Sequence, residues 1–140
     1  MPRFSLKTLF AVVTILALPC AWFAFELNKA RHIRAVVAEI RKLGVGAYGP
    51  KDGVITKLSA KRNFNDSELE LLLPLLKEFP NVQTLDLSET AITNKHWKEL
   101  SQFQSLTFIN LIGAYKLTNE AIDELKTAMP HTRIDAYTIY

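Results

Sequence analysis

The feature that most constrains this chain is a pattern that occurs twice. Val82-Gln83-Thr84-Leu85-Asp86-Leu87-Ser88-Glu89-Thr90-Ala91-Ile92-Thr93-Asn94 recurs as Leu106-Thr107-Phe108-Ile109-Asn110-Leu111-Ile112-Gly113-Ala114-Tyr115-Lys116-Leu117-Thr118-Asn119. Leu85 and Ile109, like Leu87 and Leu111, stand 24 positions apart, whereas Ile92 and Leu117, like Leu100 and Leu125, stand 25 apart. A fixed period of this length marks one supersecondary unit stacked on copies of itself, because no single unit can bury its apolar face alone. Leu85 and Leu87 alternate inward from a short parallel strand, and Ile92, Trp97 and Leu100 point inward from the return arm. Thr93-Asn94 and Thr118-Asn119 offer side-chain oxygens to cap the helices that follow, and Glu120 and Asp123 sit where the helix dipole favours negative charge.

Two further copies are degraded. Upstream, Val54-Ile55-Thr56-Lys57-Leu58-Ser59 aligns its Leu58 with Leu87, Phe64 takes the place of Ile92, and Asn65 stands three before Glu68 as a helix start. The helix that follows is longer, and Pro74 inside Leu72-Leu73-Pro74-Leu75-Leu76 predicts a kink or a second short helix before Pro80. Downstream, Thr132 to Tyr137 repeats the strand. The period falls in the range of leucine-rich repeats. The expected fold is therefore α/β: a small leucine-rich-repeat solenoid over residues 44–140, with a short parallel sheet, helices on one side and an N-terminal transmembrane helix before it.

That N-terminal segment is the second constraint. The run TLFAVVTILALPCAWFAF, residues 8–25, carries no charge, and at 1.5 Å per residue it reaches roughly 27 Å, enough to cross a hydrocarbon core. Trp22, Phe23 and Phe25 lie near one end, where large rings favour the interface. Residues 1–26 are read as a membrane anchor in contact with lipid through 8–25. A cleaved signal peptide is the alternative, giving a secreted or periplasmic binding domain, but Pro19 and Trp22 occupy the −3 places where a peptidase needs small residues. Arg3 and Lys7 precede the run and Lys29, Arg31, Arg34, Arg41 and Lys42 follow it, which favours a single-pass protein with its C-terminal domain in the cytoplasm. Residues 27–43 read as an amphipathic capping helix, with Leu27, Ala30, Ile33, Val36, Val37, Ile40 and Leu43 as its stripe. Its basic face suits either anionic lipid or plain solvent.

Gly44-Val45-Gly46-Ala47-Tyr48-Gly49 spells a phosphate-binding fingerprint, G-x-G-x-x-G, but it follows a helix instead of a strand and leads into Pro50-Lys51-Asp52-Gly53, a turn. It is read as a helix C-cap at Gly44, a short strand and a turn.

The chain resembles the short membrane-anchored leucine-rich-repeat proteins abundant in planctomycete bacteria. Arg3-Phe4-Ser5-Leu6-Lys7-Thr8-Leu9 looks like their opening, and Leu85-Asp86-Leu87-Ser88-Glu89-Thr90-Ala91-Ile92-Thr93-Asn94 looks like their L-D-L-S-x-T-x-[VI]-T-[DN] core. The second copy has the spacing of the cysteine-containing class, with Ala114 in the cysteine place, so a side-chain ladder begun by Thr90 breaks there. The resemblance implies an interaction scaffold, with no catalytic residue, cofactor or metal to carry over.

In a solenoid, the strand residues that alternate with the core line the binding face. The alignment gives columns Ile55, Thr84, Phe108, Arg133; then Lys57, Asp86, Asn110, Asp135; then Ser59, Ser88, Ile112, Tyr137. Lys57, Asp86, Phe108, Asn110, Ile112, Asp135 and Tyr137 are the candidate contacts for a protein or peptide, being apolar groups beside charged ones. Ile134 to Tyr140 has strand composition and offers an edge for self-association. A small membrane-associated enzyme is the rival class, yet His32, His96 and His131 read as scattered surface or turn histidines and no nucleophile, base and orienting group converge. Nucleic acid is not an expected partner, since the basic cluster adjoins the membrane segment and lacks interleaved aromatics. One cysteine, Cys20, excludes an internal disulfide.

Overall fold

The computed structural model describes residues 5–50 and 54–137. The fold is mixed α/β, with a long apolar N-terminal helix and a five-stranded, mostly parallel sheet in the order β1-β2-β3-β4-β5. Residues up to Ala35 and residues from Val36 onward form separate compact units.

The first unit is the greater part of helix α1 (Leu6–Lys42). Its most apolar 18-residue window has a mean hydropathy of 2.1 and none of it is buried, so the helix is long and apolar enough to cross a membrane by length and composition. Pro19 lies inside the helix and removes one N–H from its ladder. The sequence reading separates an anchor, 1–26, from an amphipathic helix, 27–43; the helix passes through Glu26 and Leu27 without interruption.

The second unit starts at Val36, on the last turns of α1, where Val36 and Ile40 are buried and Val37 and Leu43 are half-covered. Leu27 and Ala30, expected in the same stripe, are exposed. At 3.6 residues per turn Leu27 stands about 140° around the helix from Ile40, on the side of Arg34 and Arg41, which is why it cannot share that face. Gly44 ends the helix at φ +80 and donates its N–H to the Arg41 carbonyl at 3.0 Å, a left-handed cap that glycine adopts without a Cβ clash. The glycine run continues as β1 (Val45–Tyr48), antiparallel to β2 (Lys57–Ala60), and therefore opens no helix that could hold a phosphate.

From β2 onward the chain repeats. Strands β3 (Thr84–Asp86), β4 (Phe108–Asn110) and β5 (Arg133–Asp135) follow in parallel, with Leu58, Leu85, Ile109 and Ile134 side by side. The first three of these side chains are wholly buried. The sequence alignment of Leu58 with Leu87 is thus wrong by two residues. Leu58 is the one buried position of its strand and must join the row of buried positions in its neighbours. The backbone fixes the same register: the Thr56 carbonyl accepts from the N–H groups of Gln83 and Thr84, as the Gln83 carbonyl accepts from Thr107 and Phe108.

Strands β2, β3 and β4 each lead to a capped helical segment. Asn65 caps α2 (Asp66–Leu76) in a full capping box: its side chain accepts from the N–H groups of Ser67 and Glu68, and the Glu68 carboxylate accepts from the Asn65 N–H at 2.9 Å. Burial pushes the Glu68 carboxyl up, but Lys61 and the Asn65 N–H more than offset this and hold it below the usual range. The helix continues through Pro74 to Leu76, and in place of a second short helix before Pro80 the chain makes turns that close on Leu75 and Leu76. Pro74 is exposed and near the C-terminal end, where one lost bond is cheap. Thr93 caps a 3-10 turn (Asn94–His96) that leads into α3 (Trp97–Leu100), and Thr118 caps α4 (Asn119–Ala128).

The caps are tied to one another across the copies. Asp66 accepts from the Thr93 N–H at 2.8 Å and from the Thr93 hydroxyl at 2.7 Å, and the Asn94 amide exchanges bonds with Thr118 at 3.1 and 3.3 Å. This, and not the ladder expected from Thr90, joins the turns by side chains: the buried Thr90 hydroxyl donates to its own turn, to the Leu87 carbonyl at 2.7 Å. The stretch from buried strand residue to cap grows by one residue in each copy, from Leu58–Asn65 through Leu85–Thr93 to Ile109–Thr118. Positive φ at Asn63, Glu89 and Gly113 turns the chain within these stretches.

Candidate functional site

The residues that flank the buried row of each strand form two lines across the sheet. Lys57, Thr84, Phe108 and Arg133 are neighbours in one, and Ser59, Asp86, Asn110 and Asp135 in the other. The expected columns are corrected at their first member: Lys57 belongs beside Thr84, not Asp86, and Ser59 beside Asp86, not Ser88, because the first copy is two residues out of step with the alignment. Ile55 precedes β2 and joins neither line. Among the seven candidate contacts, Lys57, Ile112 and Tyr137 are exposed, whereas Asp86, Phe108, Asn110 and Asp135 are half-buried. Ile112 and Tyr137 follow β4 and β5 rather than lying within them. Part of the self-association edge, residues 138–140, lies outside the described residues.

Several of these side chains also hold the backbone. Asp86 accepts from the Ser88 N–H and Asn110 from the Ile112 N–H, both at 3.1 Å, so the same Asx turn follows β3 and β4. In the second copy that turn sets Ile112 outward, 39% exposed. Tyr115, 61% exposed in the following turn, is an aromatic group that the column alignment misses because it lies beyond the strand period.

The charges on these strands and turns are matched locally. Lys57 Nζ lies 3.9 Å from Asp86, Arg62 pairs with Glu89, and Arg133 donates twice to Asp135 at 3.0 Å. The bonds to Asp135 raise the Arg133 guanidinium above its usual range. Its charge also sits 5.7 Å from the centre of the Phe108 ring, within cation–π range. Such a surface offers ring faces, an aliphatic side chain and paired charges, with no excess of either sign.

Comparison with protein-family models and with curated proteins finds no match.

The histidines depart from expectation at one place. His32 and His131 are exposed, but His96, read as a surface residue, is 5% exposed where the 3-10 turn meets α3. The turn rotates the ring inward toward α2, which the helical period alone does not reveal. Its Nε2 is 4.0 Å from Glu70 and its Nδ1 is 3.8 Å from Glu99, both too long for hydrogen bonds, and Nε2 has no partner. The ring lines a cavity of about 230 Å³ together with Leu73, Pro74 and Phe103. The two carboxylates face different ring nitrogens, so they do not converge on one ion, and among the described residues no three His, Cys, Asp or Glu side chains come together as ligands.

Proposed function

We propose that this chain is a non-catalytic protein-interaction module of the leucine-rich-repeat type, held at a membrane by α1. The observation that carries the reading is the regular register of four parallel strands, of which β2, β3 and β4 each bury one residue between two less buried neighbours, as in a solenoid with an open strand face. A protein or peptide docks on that face through Phe108, Ile112 and Tyr137, with Lys57, Asp86, Asn110 and Asp135 as the polar surround. Large apolar groups left outside a well-buried core, beside locally paired charges, have the composition of a protein contact. Photo-crosslinking tests it: a photoreactive residue at 108, 112 or 137 of the membrane-bound chain gives a discrete adduct, and one at Lys98, on the helix side, gives none. Equal adducts at both places, or none at either, refute the docking face.

The span reading rests on the helix's length and composition, and the cytoplasmic side on the excess of Lys and Arg after it. Reporters fused to Tyr140, one active inside and one outside the cell, test both. A full-length membrane-bound fusion active inside supports the anchor and its direction, whereas a shortened soluble fusion active outside makes the N-terminal run a cleaved signal and the domain a secreted binder.

A further inference from the structure

The stretch of α1 just beyond the apolar run belongs to neither the span nor the sheet. Between Glu26 and Ala35 every residue but the half-covered Ile33 is exposed, and the stretch carries Lys29, Arg31 and Arg34 against one acid, Glu26. Helix geometry sets their distance from the aromatic end of the run. At 1.5 Å per residue Lys29 lies about 6 Å, Arg31 about 9 Å and Arg34 about 14 Å beyond Phe25 along the axis. The polar headgroup layer extends roughly 5–7 Å past the hydrocarbon on each side. Lysine and arginine side chains bring their charge down along the helix toward that layer, and at physiological salt an anionic surface is felt over about 8 Å.

We propose that Lys29, Arg31 and Arg34 form a juxtamembrane collar that binds the headgroups of anionic phospholipids in the leaflet that α1 enters. The proposal rests on the anchor reading above. Charge complementarity names the occupant, and continuity places it, since collar and apolar run are one helix. Arg41 and Lys42, about two turns further along than Arg34, are outside the collar: Lys42 pairs with Glu39 at 2.6 Å, and both are too far along the axis to share the headgroup layer. The basic face read from the sequence thereby divides into a lipid-contacting part and a solvated part.

The test uses the full chain in vesicles of phosphatidylcholine and phosphatidylglycerol, with brominated acyl chains on one lipid or the other. A Trp97→Phe background leaves Trp22, near the end of the run, as the one tryptophan. The ratio of Trp22 quenching by the two brominated lipids gives the relative association of anionic lipid. The expected preference is about fivefold or more, the worth of one near-surface basic side chain. It falls to near one in Lys29→Gln/Arg31→Gln/Arg34→Gln, shrinks in high salt, and is unchanged in Arg41→Gln/Lys42→Gln. Quenching without preference in the parent chain, or a preference that survives the triple substitution, overturns the collar alone. Absence of quenching by either lipid overturns the anchor itself, and the collar with it.

Discussion

Replacing Asp66 by alanine removes both bonds that tie the start of α2 to the cap of the next copy. The Asp66 carboxylate accepts the Thr93 N–H at 2.8 Å and its hydroxyl at 2.7 Å across 27 residues of chain, and both side chains are half-buried. A hydrogen bond to a charged group contributes about 1.5–3 kcal/mol; with two bonds partly open to water, a loss of about 2–3 kcal/mol is expected. For a domain of this size that corresponds to a fall in Tm on the order of 10 °C or more, or roughly 1 M in the urea midpoint. Asp66→Asn keeps an acceptor for the N–H and loses about half as much. A Trp22→Phe background leaves the buried Trp97 to report urea unfolding of the full chain in micelles. In a cycle with Thr93→Val the coupling should reach about 1 kcal/mol or more. If Asp66→Ala stays within about 0.5 kcal/mol of the parent, as an ordinary surface change does, or the coupling vanishes, the inter-copy tie is not stabilising and the reasoning fails.

Other outcomes follow from the packing. Leu58→Ala and Leu85→Ala, each at a wholly buried position, should each lower stability by about 2–5 kcal/mol in the same urea assay, while Lys57→Ala, exposed beside Leu58, should fall within about 0.5 kcal/mol. Gly113→Ala places a Cβ at φ +76 and 3.3 Å from Glu89 Cγ, and should cost about 1–2 kcal/mol by thermal melt, since both the backbone and the neighbour resist it. Because the Glu68 carboxyl is held below its unfolded value, its contribution is present above about pH 4.5 and is lost as the pH falls through the lower, folded value. A stability–pH series should therefore show a smaller loss below pH 4.5 for Glu68→Gln than for the parent.

The two clear copies were legible because they share apolar spacing: Leu85 with Ile109, Ile92 with Leu117 and the threonine caps are where the repeat places them. The degraded first copy was not. Its strand ends in Ala60 at the position where the later copies have Leu87 and Leu111, so aligning leucine on leucine puts the register two residues off. What settles it are backbone bonds from the Gln83 and Thr84 N–H groups to the Thr56 carbonyl, which no side-chain pattern records. β1 was readable as a strand after a glycine cap, but its antiparallel pairing depends on the chain returning through a hairpin. His96 was misread because a 3-10 turn advances faster around its axis than an α-helix. Of the candidate face, the strand positions were legible and the turn residues only partly, since Ile112 is set outward by Asn110 and Tyr115 follows no period.

The lengthening turns have a consequence for how such a chain tolerates change. The second and third are each fastened at one end by a sheet register and at the other by a cap bonded to the preceding helix start, so added length has a place to go between two fixed points. The positive-φ positions Asn63, Glu89 and Gly113 lie outside the strands, so a single-residue insertion beside them changes no strand alternation, while the adjoining Thr90 and Ala114 are buried and leave less room. Length added in these stretches leaves the strand alternation in place, whereas an insertion inside a strand would turn a buried side chain to the opposite face.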